Sequence, residues 1–229
     1  LSHSHSNLDR QLSVALDYHN KGRFREADQI YSAVLKRSPD HPDALHLKGV
    51  LAHQCGRDQE AIQLVEKAID LNPSNPFYHC NLGVVYRSID DLDRSAACYQ
   101  KALAIKPDYA DAFNNLANVY RKQGRLQDAV VLYQKALALQ PGDVLTHNHL
   151  GHVYRELGAV KDEIACYEKA LKIDPGAAQT YLNMGNAFQY QGEIDKAIGF
   201  YKEALTRQTG FLEAYNNLGS ALITKGHLT

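Results

Sequence analysis

Residues 110–143 read ADAFNNLANVYRKQGRLQDAVVLYQKALALQPGD, and this stretch decides the fold. Phe113, Leu116, Ala117 and Tyr120 fall at i, i+3, i+4 and i+7, the spacing that aligns side chains on one face of a helix. Gly124 interrupts the pattern. Leu126, Ala129, Val130, Tyr133, Ala136 and Leu137 then resume it on a second helix. Pro141 closes the segment, because proline cannot continue a helix and restricts the residue before it. The stretch predicts two short amphipathic helices joined at a glycine.

The same ruler applies on both sides. Pro39, Pro73, Pro107, Pro141 and Pro175 are spaced 34 apart, and Thr209 takes the next place. Counting each proline as position 32 gives six complete units, 8–41, 42–75, 76–109, 110–143, 144–177 and 178–211, with a partial seventh over 212–229 and an N-terminal tail over 1–7. Position 8 reads Ala15, Gly49, Gly83, Ala117, Gly151, Gly185, Gly219, and position 24 reads Tyr31, Val65, Tyr99, Tyr133, Tyr167, Tyr201. Small residues at positions 8, 20 and 27 let the two helices approach closely while the tyrosines fill the neighbouring gaps. Glu163 breaks the small column at position 20, where Ala27, Ala61, Ser95, Ala129 and Ala197 stand. Its carboxylate is expected either to reach water along its stem or, if buried without a partner, to have a raised pKa. A helix pair this short cannot bury its apolar stripes alone, so the units must stack into one core.

The period of 34, the small residues at 8, 20 and 27, and the closing proline resemble the tetratricopeptide repeat family. The resemblance runs from Leu8 to Thr229 and implies an all-α, right-handed superhelical solenoid of helix-turn-helix units. It implies protein binding, since such repeats serve many partners. It also implies that the first helix of each unit lines an inner wall.

On that helix positions 2, 6, 9 and 13 share the face opposite the apolar stripe. From the third unit, position 6 reads Asn81, Asn115, His149, Asn183, Asn217; position 9 then carries Asn118, His152 and Asn186 in the fourth to sixth units. An asparagine amide offers a donor and an acceptor together, so it can meet a peptide unit whatever side chains that peptide carries. These eight residues are the candidate peptide-binding set, and Asn115 and Asn183 are expected to face solvent. Arg87, Arg121 and Arg155 at position 12 offer contacts to an acidic ligand, against the plainer reading of ion pairs between units. An asparagine ladder of this kind, with the segments PDALHLKGVLAHQCGR (42–57), ADAFNNLANVYRKQGRLQDAV (110–130) and FLEAYNNLGSAL (211–222), resembles the substrate-holding arms of O-linked N-acetylglucosamine transferases and SPINDLY-like enzymes. That resemblance implies a substrate-recruiting arm whose catalytic domain is absent from this chain. It weakens toward the N-terminus, where Ser13 and Leu47 hold position 6.

Other chemistries find little support. The 229 residues are 45% hydrophobic and carry a formal net charge of −1, without the basic surface that nucleic acid or an anionic membrane would need. No apolar run approaches the roughly 20 residues of a membrane span, and the opening LSHSHSNLDRQ has neither the basic segment nor the apolar core of a secretory signal. Cys55, Cys80, Cys98 and Cys166 form no CxxC pair and read as free thiols of a reducing, cytoplasmic, soluble protein. His147, His149 and His152 cluster on one helix, but no cysteine or carboxylate completes a metal site. Nucleotide-loop, nucleophile-elbow and zinc-protease motifs are missing, so no catalytic residue and no cofactor is expected. The family's clamp for chaperone carboxylates needs lysines at positions 2 and 5. Position 2 reads Asp9, Asp43, Phe77, Asp111, Leu145, Gln179, Glu213, and position 5 has no lysine either. The expected partner is a protein or extended peptide, the alternatives being the recruiting arm above or a self-assembling scaffold. Tyr215, Leu218 and Leu222 on the last helix are expected to form an exposed apolar end open to self-association.

Overall fold

The computed structural model describes the backbone of residues 2–228 and the side chains of residues 7–226. Among the described residues there are thirteen helices and no strand. The first helices of the units are α1 (Ser2–Asn20), α3 (Pro42–Gln54), α5 (Pro76–Ser88), α7 (Ala110–Lys122), α9 (Val144–Glu156), α11 (Ala178–Tyr190) and α13 (Leu212–Leu228). The second helices are α2 (Phe24–Arg37), α4 (Asp58–Leu71), α6 (Leu92–Ile105), α8 (Leu126–Leu139), α10 (Val160–Ile173) and α12 (Ile194–Arg207). From α3 onward every first helix starts on the residue at which the 34-residue ruler starts its unit. The N-terminus differs: α1 begins at Ser2, so the segment expected as a tail continues the first helix, while Leu1 and Thr229 lie outside the described residues.

Local chemistry explains these boundaries. Pro42 and Pro76 occupy the first helical turn, where a missing N–H is harmless. Asn75 and Asp143 cap α5 and α9 by accepting from the backbone N–H of Phe77 and Leu145. Gly124 ends α7 with φ 74, a left-handed conformation that costs glycine nothing, and in the third unit Asp90 takes that place with φ 62. Each second helix ends where its cap N–H returns to the carbonyl of the position 27 residue, as from Gln140 to Ala136.

The chain divides into two compact units, Leu1–Val119 and Tyr120–Thr229. Within the first, α1 pairs with α2, α3 with α4 and α5 with α6, and α1, α3 and α5 are successive neighbours. Within the second, α9 pairs with α10 and α11 with α12, while α9, α11 and α13 are successive neighbours. The cores are the position columns in three dimensions. Tyr31, Tyr99, Tyr133, Tyr167 and Tyr201 are all fully buried. A Cβ placed on Gly83, Gly151 or Gly185 would meet the ring of Tyr99, Tyr167 or Tyr201 at 2.8, 2.4 and 2.4 Å. The glycines are there because the tyrosine rings lie on their backbone.

Candidate functional site

The first-helix face carries the candidate residues in both units, and the structure separates them into amides committed to the protein and amides that remain accessible. In Leu1–Val119, half-buried Asn81 donates Nδ2 to Nε2 of His46 on the preceding first helix at 2.7 Å. Asn118 donates back to the Asn114 carbonyl one turn earlier at 3.0 Å. Asn115 is half-buried, with its amide toward the Cys80 thiol, whose pKa burial raises.

In Tyr120–Thr229 the bracing is stronger. Asn183 is buried, not solvent-facing as its column suggested, and donates Nδ2 to Oδ1 of Asn148 at 3.0 Å. Asn148 in turn donates to Oγ1 of Thr180 at 2.9 Å and to the Val144 carbonyl. The Asn183 carbonyl accepts from Gln179 at 3.3 Å, so both ends of this amide are occupied. Asn217 donates to Oδ1 of Asn186 at 2.8 Å, an oxygen that also accepts from the Tyr201 hydroxyl at 2.9 Å. His152 lies between the Tyr167 hydroxyl and the Asn183 amide, 3.4 and 3.5 Å away. Burial, aided by the charges of Arg155 and Arg121, lowers its pKa to about 4, so the ring is neutral at physiological pH. His149 packs against the Tyr133 ring with centroids 5.9 Å apart. Asn148 and Thr180 complete the brace and carry no signal in the position 6 and 9 columns; the run of polar residues at position 5 was the only hint.

Asn183→Ala should therefore lower stability by about 1.5 kcal/mol, because Oδ1 of buried Asn148 loses its donor. A shift of the urea midpoint at unchanged slope would show it; no shift would mean that water replaces the amide.

Of the arginine column, Arg121 is engaged within the protein. Arg121 donates Nε to Glu156 at 2.7 Å across neighbouring first helices. Arg87 lies close to the Tyr99 hydroxyl, where its charge opposes the rise that burial imposes on that phenol. Arg155 faces His152 and Glu163. The Arg121–Glu156 pair joins neighbouring repeats, while Nε of Arg87 is buried without a hydrogen-bond partner among the described residues. The three clustered histidines also diverge, with Nε2 of His147 on the Pro141 carbonyl at 3.1 Å. Among the described residues no group of three or more His, Cys, Asp or Glu side chains could hold a metal ion. No described helix is long and apolar enough to cross a membrane.

Paired helices on a constant 34-residue period, small residues at nearly every crossing and a repeated first-helix face define an α-helical repeat protein. The chain belongs to the tetratricopeptide repeat family. Profiles described as Tetratricopeptide repeat match residues 15–76, 110–143 and 178–208, and one described as TPR repeat matches 85–124 and 151–192. Among solved structures, MamA is 26% identical, with 72% of this chain and 97% of that one covered and a TM-score of 0.65. PilW, described as a widely conserved type IV pilus biogenesis factor, is 19% identical over 92% of this chain and 98% of that one, with a TM-score of 0.84. YrrB, described as a TPR protein with an unusual peptide-binding site, is 19% identical over 81% of this chain and 96% of that one, with a TM-score of 0.65. At that identity the last two show the fold alone. No curated protein sequence matches the chain.

Proposed function

We propose that this chain is a non-catalytic interaction scaffold that holds extended protein segments against its first-helix faces. The observation that carries the reading is the company the polar column keeps. Phe77 and Leu145, both at position 2, are 48% and 59% exposed on the same helical face as Asn81 and His149. Large apolar side chains beside half-buried amides suit a peptide better than they suit bulk water. Asn81 and Asn217 each use one amide hydrogen in the bonds above, and an amide has a second N–H and a carbonyl with two lone pairs. Neighbouring first helices lie roughly 10 Å apart, and an extended chain rises about 3.3 Å per residue. One accessible amide would thus serve about three ligand residues. The peptide-binding site described for YrrB adds weight to the same reading.

The test is a peptide selected from a random display library, titrated against the full chain and the Asn115→Ala variant. Asn115 is half-buried, so its loss should weaken binding by about 1 kcal/mol, the net worth of one hydrogen bond, with little change in melting temperature. Unchanged affinity in this variant and in Asn81→Ala would remove the amides from the binding face.

A second reading, in which the same face recruits substrates for a protein glycosyltransferase, rests on the likeness of the three segments quoted above. The sequence of the parent protein beyond Thr229 tests it. Self-association rests on α13, where Tyr215, Leu222 and Ile223 are 54%, 49% and 64% exposed, whereas Leu218 packs against the core of α11 and α12. Light scattering should show mass rising with concentration and falling back in Leu222→Ser/Ile223→Ser; constant monomer mass would exclude it.

A further inference from the structure

Where the first repeats lack the asparagine column, the wall changes character in one direction. Position 6 carries Ser13 and Leu47, and position 2 carries Asp9, Asp43 and Phe77. The neighbouring helices α1, α3 and α5 line an open groove of about 410 Å³ at these positions. Leu16, Leu47 and Phe77 supply apolar surface to it, and Leu16 and Phe77 remain exposed to solvent. Asp9 and Asp43 line it as well, both exposed, on adjacent helices. Among the described residues its lining holds two carboxylates and no lysine or arginine. Lys106 sits over the ring of Phe77, 5.5 Å from its centroid, outside that lining.

The floor keeps the charge negative. His46 is buried, with its ring centroid 4.6 Å from that of Tyr78 and its Nε2 facing the Asn81 amide. Burial lowers its pKa to about 4 against the pull of Asp43, so at neutral pH it contributes no positive charge. The Tyr78 hydroxyl donates to Oδ1 of Asp43 and fixes that carboxylate, which keeps a second oxygen for another donor.

We propose that this groove is a specificity pocket for a partner segment in which large apolar side chains stand between two lysines or arginines. The inference rests on the peptide-holding reading and adds the chemistry of the partner. Its volume suits a large aliphatic or aromatic side chain with adjoining backbone. Asp9 and Asp43 stand one repeat apart, roughly 10 Å by the spacing of packed helices. In a polyproline II segment residues three apart return to the same side and span about 9 Å. A cation at each end can therefore reach one carboxylate while an intervening side chain reaches the groove. The acidic partner that the arginine column once suggested is the opposite of what this wall would select.

The experiment uses a fluorescein-labelled peptide, Lys-Leu-Leu-Lys flanked at each end by Gly-Ser-Gly, and two analogues. One replaces both lysines by glutamate and the other replaces both leucines by serine. Exposed ion pairs are each worth a few-fold in affinity, so anisotropy should show the full chain binding the lysine peptide about tenfold more tightly than the glutamate peptide. The preference should shrink with added salt. The double variant Asp9→Asn/Asp43→Asn retains an oxygen for Tyr78 and should bind the lysine and glutamate peptides alike. Phe77→Ala should weaken binding of the leucine peptide and leave the serine analogue unchanged. Circular dichroism melts confirm that the variants fold. Equal affinity of the unmodified chain for lysine and glutamate peptides, or a preference that survives in the double variant, overturns the proposal. If the display-selected peptide still binds through Asn115 in that case, the pocket falls and the scaffold reading stands. If neither peptide binds, both fall.

Discussion

Gly185→Val is expected to destabilise the protein by about 3 kcal/mol, the upper range for forcing extra carbons into a packed helix crossing. The position is helical, and a glycine there already carries a propensity penalty that valine would partly relieve. Sterics outweigh that gain. Even a single Cβ would lie 2.4 and 2.5 Å from two ring carbons of Tyr201, and that ring is fully buried with its hydroxyl bonded to Asn186 and Gln189. The ring cannot swing aside without breaking both bonds, so α11 and α12 must separate. Ala15 occupies the equivalent repeat position and shares a buried core cluster with Tyr31, which shows that one carbon is tolerated where the pair is built around it. Gly219 is the control: it stands at the same repeat position with nothing within 4 Å of its would-be Cβ. Gly219→Ala should stabilise α13 by roughly 0.5–1 kcal/mol through helix propensity alone. Urea midpoints of the two variants moving in the same direction would refute the tyrosine-on-glycine account of the crossing.

Glu163→Ala should stabilise the protein at neutral pH by about 2 kcal/mol, the cost of an orphaned polar group in the interior. Glu163 is fully buried, and neither carboxylate oxygen has a hydrogen-bond partner among the described residues. Burial raises its pKa; the Arg155 charge and the Tyr167 hydroxyl act in the other direction without forming a bond to it. Because the folded pKa lies above the unfolded one, the native state holds the proton more tightly than the unfolded chain. Below about pH 4.5 both states are protonated and ionisation costs nothing. As pH rises past that point the unfolded chain releases its proton first, and the folded form loses stability relative to it until the buried carboxyl also ionises. Glu163→Gln retains the shape and removes the titration. The stability of Glu163→Gln relative to the unmodified chain should thus increase from pH 4 toward pH 7. A difference that stays flat over that range would mean that Glu163 has a counter-charge in solution.

The fold was legible because its determinants are local and repeated. One proline, one glycine and a handful of small residues recur at fixed positions, and the helix starts at Pro42, Pro76, Ala110, Val144, Ala178 and Leu212 coincide with the ruler. The start of α1 was not legible, since the residues before Leu8 contribute no apolar stripe. The site was read only to the level of columns. Asn115 and Asn183 share a column, yet one is half-buried and the other enclosed. What separates them is the neighbour: Asn148 and Thr180 reach across adjacent first helices to close around Asn183, and no single-helix pattern encodes that meeting. Glu163 is a partial success. The lack of room was apparent from Ala27, Ala61, Ser95, Ala129 and Ala197, but only packing decides whether the carboxyl escapes. The acidic, apolar pocket was hidden because its residues come from three helices and occupy columns that mix polar and apolar members.

If partners bind on the first-helix face, amide and side-chain chemical-shift mapping of the full chain with the display-selected peptide will locate them there. Perturbed signals should cluster on positions 2, 6 and 9 of the first helices, including the side-chain amides of Asn81, Asn115 and Asn217, and spare the exposed faces of the second helices. Perturbations concentrated on α2, α4, α6, α8, α10 or α12 would contradict binding on the first-helix face.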